Sequence, residues 1–136
     1  MQNEIKKVFS FGQPPEEVWD YLTKPELLGQ WLGDTDFQPV KGCKFQLNGK
    51  NGCVNLCEVI EVIPNRHLSY SWKVEGSDGN LTMDSTVVWT LHEQNGGTEL
   101  HLIHHGFMSE DEFLGKQSGW TILGNRLVEI FNTVKQ

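Results

Sequence analysis

The chain has 136 residues, a formal net charge of −7, 38 % apolar and 21 % charged residues. This length and composition indicate one globular domain, 1–136, with a core large enough to form without disulfides, and they exclude a disordered chain. An acidic surface repels phosphate groups, and no apolar run approaches the roughly 20 residues of a membrane-spanning helix. We therefore expect neither nucleic acid nor membrane insertion.

Three cysteines, Cys43, Cys53 and Cys57, occur in a sequence whose first residues do not resemble a signal peptide. An odd number of cysteines in such a context indicates reduced thiols, so we expect a cytoplasmic protein. On one strand, Cys53 and Cys57 would lie ~13 Å apart, which is too far for both to bind one zinc ion. We therefore predict no metal site and no cofactor.

The N-terminal third predicts a strand followed by two short helices. Residues 3–11 alternate loosely between apolar and polar positions and indicate the strand. Pro15 suits the first turn of a helix, because the N–H that it lacks would be unpaired there. That helix ends before Pro25, which disfavours a helical conformation at Lys24, and a second helix spans 25–31.

From residue 35 to 105 the apolar pattern has a period of two, which predicts consecutive strands at 36–40, 43–48, 53–63, 67–74, 82–92 and 97–105. Glycine, asparagine and proline separate these strands, and such residues suit short hairpin turns. Short connections between neighbouring strands predict an antiparallel meander.

Residues 106–117 show no regular pattern, and we expect them to be irregular apart from an acidic turn at 109–112 that resembles a solvated helix start. From Ser118, a possible N-cap, apolar residues recur at helical spacing. The stripe contains Trp120, Leu123, Leu127, Ile130 or Phe131, and Val134, whereas Arg126 and Glu129 lie away from it. The order of elements predicts an α+β helix-grip fold, in which a curved antiparallel sheet with two short N-terminal helices wraps around one long C-terminal helix.

Short motifs of aromatic and turn residues follow one another along nearly the whole chain. They are Pro15-x-x-Val18-Trp19, Thr23-x-Pro25-Glu26-x-Leu28-x-x-Trp31, Val59-x-x-Val62-x-Pro64, Leu68-x-Tyr70-x-Trp72, Thr86-Val87-x-Trp89-x-Leu91, Gly96-Gly97-Thr98-x-Leu100 and His105-Gly106-Phe107. In this order they resemble the family related to the C-terminal domain of the activator of the 90-kDa heat-shock protein ATPase, within the START/SRPBCC superfamily of birch-pollen-allergen-like proteins. The resemblance implies a cavity between the sheet and the last helix.

Large aromatic and apolar side chains are candidates for the wall of such a cavity, with core packing as the alternative for each. We expect a mostly apolar ligand site formed by Trp31, Leu56, Glu58, Tyr70, Trp72, Trp89, His104, Phe107, Trp120, Leu123 and Leu127, with no catalytic residue assigned.

Two polar members of this set have alternative interpretations. His104 shares the alternation of Leu100 and Leu102 and points inward, either as a ligand partner or, as we favour, as a hydrogen-bonded histidine at a strand end. Simple alternation also turns Glu58 inward, where a carboxylate needs a partner such as His104 or Arg126. We favour a β-bulge that turns Glu58 outward instead.

The resemblance, together with these residues, implies a protein that binds an apolar or amphipathic small molecule through contacts that salt does not weaken. One alternative is a cavity enzyme of the cyclase or hydrolase type, with Glu58 and His104 as its polar pair. The other is a module that interacts with a chaperone through an exposed apolar patch, although the sequence identifies no such patch.

Overall fold

The computed structural model describes residues 4–48, 54–75, 79–107 and 109–134 of the chain. Its elements, in chain order, are β1 (Glu4–Phe11), α1 (Pro15–Thr23), α2 (Pro25–Trp31), β2 (Asp34–Thr35), β3 (Lys44–Asn48), β4 (Val54–Ile63), β5 (His67–Glu75), β6 (Leu81–Gln94), β7 (Gly97–His105) and α3 (Glu110–Val134). The predicted α+β class is confirmed.

The strands form one seven-stranded sheet in the order β1-β7-β6-β5-β4-β3-β2, and every neighbouring pair is antiparallel. Strands β2 to β7 follow one another as the predicted meander, and β1 completes the sheet beside β7. The sheet curls around α3, as expected for a twisted sheet whose inner face has to be covered. The helix-grip prediction is therefore confirmed.

A β-bulge in β4 decides which of its side chains face inward. The pairing of β4 with β5 shifts between Val59 and Glu61. The extra residue at this point reverses the alternation, so Asn55, Cys57 and Val59 are buried on the inner face. Glu58 is exposed on the outer face, which confirms the bulge explanation.

The predicted strand 36–40 is wrong, since only the two residues of β2 pair with β3. The carboxylate of Asp36 explains why the pairing stops. Its Oδ1 accepts a hydrogen bond of 2.9 Å from the backbone N–H of Gln46. The Asp36 side chain thus accepts from the backbone N–H of β3 that would otherwise pair with the backbone of a longer β2.

The irregular segment predicted before Ser118 is also wrong, because α3 begins at Glu110. The Oγ of Ser109 accepts a hydrogen bond of 3.2 Å from the backbone N–H of Glu112, as in an N-cap. The acidic residues 110–112 lie at the positive end of the helix dipole, and Phe113 packs on Phe107 with ring centroids 5.8 Å apart. The acidic turn is therefore the helix start.

The inner face of the sheet packs directly on the middle and end of α3. Trp120, Leu127 and Phe131 are buried, whereas Leu123 is only partly covered. Gly124 allows α3 to approach β1 closely, since a Cβ at this position would overlap the ring of Phe9 on β1. None of the helices in the described ranges is long and apolar enough to cross a bilayer.

Candidate functional site

A groove of about 590 Å³ lies between the first half of α3 and the inner face of the sheet, and it is open to solvent on one side. The strands contribute Leu47, Asn55, Trp72 and Met83, and Leu32 follows α2. From α3 come the remaining lining residues, Glu112, Gly115, Lys116, Gly119, Trp120, Ile122, Leu123 and Arg126. The groove ends where α3 begins to pack tightly on the sheet.

Two tryptophans form the aromatic wall of the groove. The rings of Trp72 and Trp120 meet edge to face, with centroids 5.7 Å apart and an interplanar angle of 76°. The indole Nε1 of Trp72 donates a 2.7 Å hydrogen bond to Asn55 Oδ1, and Asn55 Nδ2 donates to the carbonyl of Leu47 at 3.1 Å. Because these bonds fix the indole, the wall is formed before any ligand arrives.

The second indole is fixed by a histidine behind it. Trp120 Nε1 donates a 2.9 Å hydrogen bond to His104 Nδ1, so this nitrogen carries no proton. In the neutral ring the proton is then on Nε2, which lies 2.8 Å from Ser85 Oγ. The hydroxyl of Ser85 in turn donates to the carbonyl of Trp72 at 3.0 Å. One chain of hydrogen bonds thus links both walls of the groove.

Burial keeps the His104 ring neutral. Its pKa is lowered from 6.5 to about 3, mainly by removal from water and in addition by the positive charge of Lys116 and by the neighbouring His105. The Ser85 contact therefore does not form a nucleophile–base pair, because His104 donates a proton to the hydroxyl and has no free lone pair to remove one. His104 is a positioning residue for Trp120, which agrees with the interpretation favoured from the sequence.

In the part of the chain that the structure describes, two cationic side chains lie along the groove. The ammonium of Lys116 lies over the ring of Trp72, 4.9 Å from its centroid, a distance suited to a cation–π interaction. Arg126 Nη1 donates a 3.1 Å hydrogen bond to the backbone carbonyl of Trp31, at the end of α2. This bond holds the guanidinium at the rim of the groove.

Glycines keep the groove wide beside α3. Gly115 and Gly119 are one helical turn apart, and both line the groove. A Cβ built on either residue meets no heavy atom within 4 Å. Each glycine costs helix stability relative to alanine, but together they leave open space where side chains would otherwise project.

Of the eleven residues expected at the site, Trp72, Trp120 and Leu123 line the groove. Trp72 and Trp120 are also core residues, whereas Trp31, Tyr70, Trp89 and Leu127 are buried in the core without lining the groove. Trp89 donates through Nε1 to Tyr70 Oη at 2.9 Å and contacts Trp120 at a centroid distance of 5.4 Å. The helix therefore packs against the sheet at these residues and leaves no space for a ligand there.

The other four expected residues lie behind the groove or on the opposite face of the sheet. The ring of Phe107 stacks against His104, with centroids 4.6 Å apart, and neither lines the groove. Leu56 and Glu58 alternate with the inward residues of β4 and therefore face outward. Glu58 and His104, the pair required by the enzyme alternative, are thus on opposite faces and cannot act together.

Sequence reasoning missed several lining residues. Simple alternation along β4 predicts that Asn55 faces outward. The bulge reverses this alternation, so Asn55 faces inward. Lys116 belongs to the segment that the apolar pattern predicts as irregular, so the sequence does not indicate its place in the groove. The helical pattern places Arg126 away from the apolar stripe of α3, and the structure agrees. The edge of this stripe forms the rim of the groove, and Arg126 lines the groove there.

Two other depressions lack the features of this groove. The larger, of about 770 Å³, lies around the turn at 64–66 and the end of β6, and no tryptophan, tyrosine or phenylalanine is among its described lining residues. The smaller, of about 390 Å³, is on the outer face and includes Leu56 and Glu58. An aromatic wall with few polar groups distinguishes the groove beside α3 as the candidate ligand site.

Within the part of the chain that the structure describes, no group of three histidine, cysteine or acidic side chains is placed to hold a metal ion. Cys53 lies outside the described residues. Burial raises the pKa of the Cys57 thiol to about 12, so this residue stays protonated at neutral pH.

A family model described as activator of Hsp90 ATPase homolog 1-like protein matches residues 13–132. A crystal structure of a protein from Mesorhizobium loti is 31 % identical, with a TM-score of 0.89 over 96 % of this chain and 98 % of that one. A protein from Micromonospora echinospora, CalU16, is 27 % identical, with a TM-score of 0.79 over 93 % and 74 % of the two chains. DynU16, from the dynemicin biosynthetic locus, shares the fold at 24 % identity and a TM-score of 0.84, and the match covers 96 % of this chain and 47 % of DynU16. No curated protein matches the chain.

Proposed function

We propose that this chain, which belongs to the family of activator of Hsp90 ATPase homolog 1-like proteins, binds an apolar or amphipathic small molecule in the groove beside α3. The observation that carries the proposal is a preformed aromatic wall, made of Trp72 and Trp120, on a groove of about 590 Å³. Pockets for small molecules have volumes of about 300–1,000 Å³ and are mostly apolar with a few placed polar groups.

The preformed wall favours binding over simple packing. Each indole N–H of the wall already has a hydrogen-bond partner within the protein. A ligand that contacts this wall therefore has no need to replace those bonds. Because both rings are almost fully buried, the apolar area gained on binding comes mainly from the more exposed lining residues Ile122 and Leu123 and from the ligand itself. The family resemblance supports the same conclusion, because it implies a cavity between the sheet and the last helix.

The enzyme alternative lacks a comparable observation. It requires at least two polar groups that reach one reacting atom in the site. Glu58 is on the outer face, and His104 uses both ring nitrogens within the protein. The polar groups that do line the groove, among them Asn55, Lys116 and Arg126, are suited to orienting a ligand.

A substitution that fills the groove tests the proposal. We expect a neutral naphthalene dye to bind the protein with a dissociation constant of about 1 μM, or about −8 kcal/mol, and to quench tryptophan emission. The variant Gly119→Leu extends a side chain into the open space beside Gly119 and should weaken binding at least about tenfold, because a leucine occupies the volume that the dye needs. Since leucine favours a helix more than glycine does, the variant should remain folded.

Gln117→Leu is the matched control. It adds a leucine to the same helix at an exposed position that does not line the groove, so dye binding should be unchanged. Equal binding by the protein and Gly119→Leu, or no binding of the dye at millimolar concentration, would contradict the proposal.

A further inference from the structure

The groove has the opposite charge balance to the rest of the protein. The chain carries a net charge of −7, yet among the described residues the groove is lined by two cations, Lys116 and Arg126, and one carboxylate, Glu112. Charges that line a concave site with apolar walls act more strongly on a ligand than charges on an open surface. The groove therefore favours a ligand of negative charge.

Lys116 directs its charge toward the inner side of the groove. Its ammonium lies 4.9 Å from the centre of the Trp72 ring. Its positive charge also acts on two buried groups: it opposes part of the rise that burial causes in the pKa of Cys57, and it adds to the lowering of the pKa of His104. Lys116 therefore makes the potential along the groove more positive, which attracts an anionic ligand without a direct contact.

Arg126 supplies the second cation with a defined geometry. One of the five N–H donors of a guanidinium is used by the bond to the carbonyl of Trp31, and this bond restricts the side chain. A planar guanidinium binds carboxylates through two parallel hydrogen bonds. Ten residues of helix place the Cα atoms of Lys116 and Arg126 ~15 Å apart along the helix axis, with Trp120 and Leu123 between them.

We propose that the ligand is an amphipathic organic acid whose carboxylate binds Arg126 and whose apolar body lies along Trp120 and Trp72 toward Lys116. This inference rests on the proposed function and adds the chemical class of the ligand. It replaces the expectation of contacts that salt does not weaken, because both cations attract the head group. Lys116 then contributes long-range attraction, and Arg126 contributes direct hydrogen bonds.

Two probes with the same apolar chain separate the contribution of charge from that of burial. Decanoate and decan-1-ol are titrated at neutral pH, with the change in tryptophan emission as the signal. We expect decanoate to bind about tenfold more tightly, since a hydrogen bond to a charged group contributes about that factor. The preference should decrease at high salt, because screening weakens the attraction of Lys116.

Variants at the two cations test the assignment. Arg126→Gln should weaken decanoate binding about tenfold and Lys116→Gln by a smaller factor, whereas decan-1-ol binding should change less than about twofold in each. Unchanged decan-1-ol binding shows at the same time that each variant is folded with an intact groove. Lys73→Gln is the control, because Lys73 follows Trp72 in β5 but lines the depression on the outer face, so neither probe should be affected.

The possible failures are distinguishable. If decan-1-ol binds as tightly as decanoate, or if both cation variants bind decanoate as the unmodified protein does, the organic-acid inference is overturned and the proposed function stands. If neither probe binds while the protein is folded, both are overturned.

Discussion

The neutral, buried ring of His104 makes the stability of the protein dependent on pH in a predictable direction. In the folded chain burial lowers its pKa from 6.5 to about 3, whereas in the unfolded chain the pKa returns to about 6.5. Between these values the unfolded state binds one more proton than the folded state. The stability due to His104 is therefore complete above pH ~6.5 and decreases as the pH falls toward ~3.

The size of the effect follows from the same two values. Between pH 7 and pH 5 the unfolded state gains about 2 kcal/mol from protonation of this one ring, while the folded state gains almost nothing. We expect the free energy of unfolding of the unmodified protein, measured by urea denaturation, to fall by about this amount beyond the change seen in His104→Gln. The comparison matters because other groups titrate in this range in both proteins.

His92→Gln is the control for this prediction. It removes an exposed histidine of β6 that is not among the groups acting on the pKa of His104, and it should preserve the pH dependence of the unmodified protein. The same pH dependence in His104→Gln and in the unmodified protein would refute the reasoning. If His104→Gln does not fold, the ¹⁵N shifts of the His104 ring in the unmodified protein decide, since the ring should keep its proton on Nε2 alone at pH 5.

Two further predictions concern packing and metal. Leu127→Ala should lower the free energy of unfolding by about 2–5 kcal/mol because Leu127 is buried under the sheet, whereas Ile122→Ala, at a residue 59 % exposed, should change it by less than about 0.5 kcal/mol. A loss under about 0.5 kcal/mol for Leu127→Ala would show that α3 presents a different face. Chelation with EDTA should leave the melting temperature unchanged, because no cluster of possible ligands occurs in the described ranges. A drop in melting temperature that zinc restores would contradict this.

Most of the fold could be predicted from local patterns. Alternation and turn residues place β3 to β7 within a few residues of their observed bounds, because such turns permit only short antiparallel connections. The errors arise where a side chain replaces backbone pairing. Asp36 ends β2 early and Ser109 starts α3 early, because each side chain accepts a hydrogen bond from a backbone N–H group. The pattern of apolar residues gives no information about such bonds.

The site was harder to predict than the fold. Inward orientation could be inferred for Tyr70, Trp72, Trp89 and His104, and all four are buried. Whether an inward aromatic residue lines a groove or fills the core depends on how closely α3 approaches each strand. That distance is set partly by Gly124 against Phe9 and by the open spaces at Gly115 and Gly119. Only the tertiary structure shows which glycine permits contact and which leaves a void.

Binding at the groove beside α3 is tested most directly by NMR of the indole N–H groups. The protein has five tryptophans, of which Trp72 and Trp120 line the groove, whereas Trp19 lies on α1 and does not. On titration of the ¹⁵N-labelled protein with the neutral naphthalene dye, ring currents should shift the Trp72 and Trp120 signals saturably at one dye per chain, with the Trp19 signal unchanged. Saturable binding that leaves Trp72 and Trp120 unshifted would contradict the assignment of the groove as the ligand site.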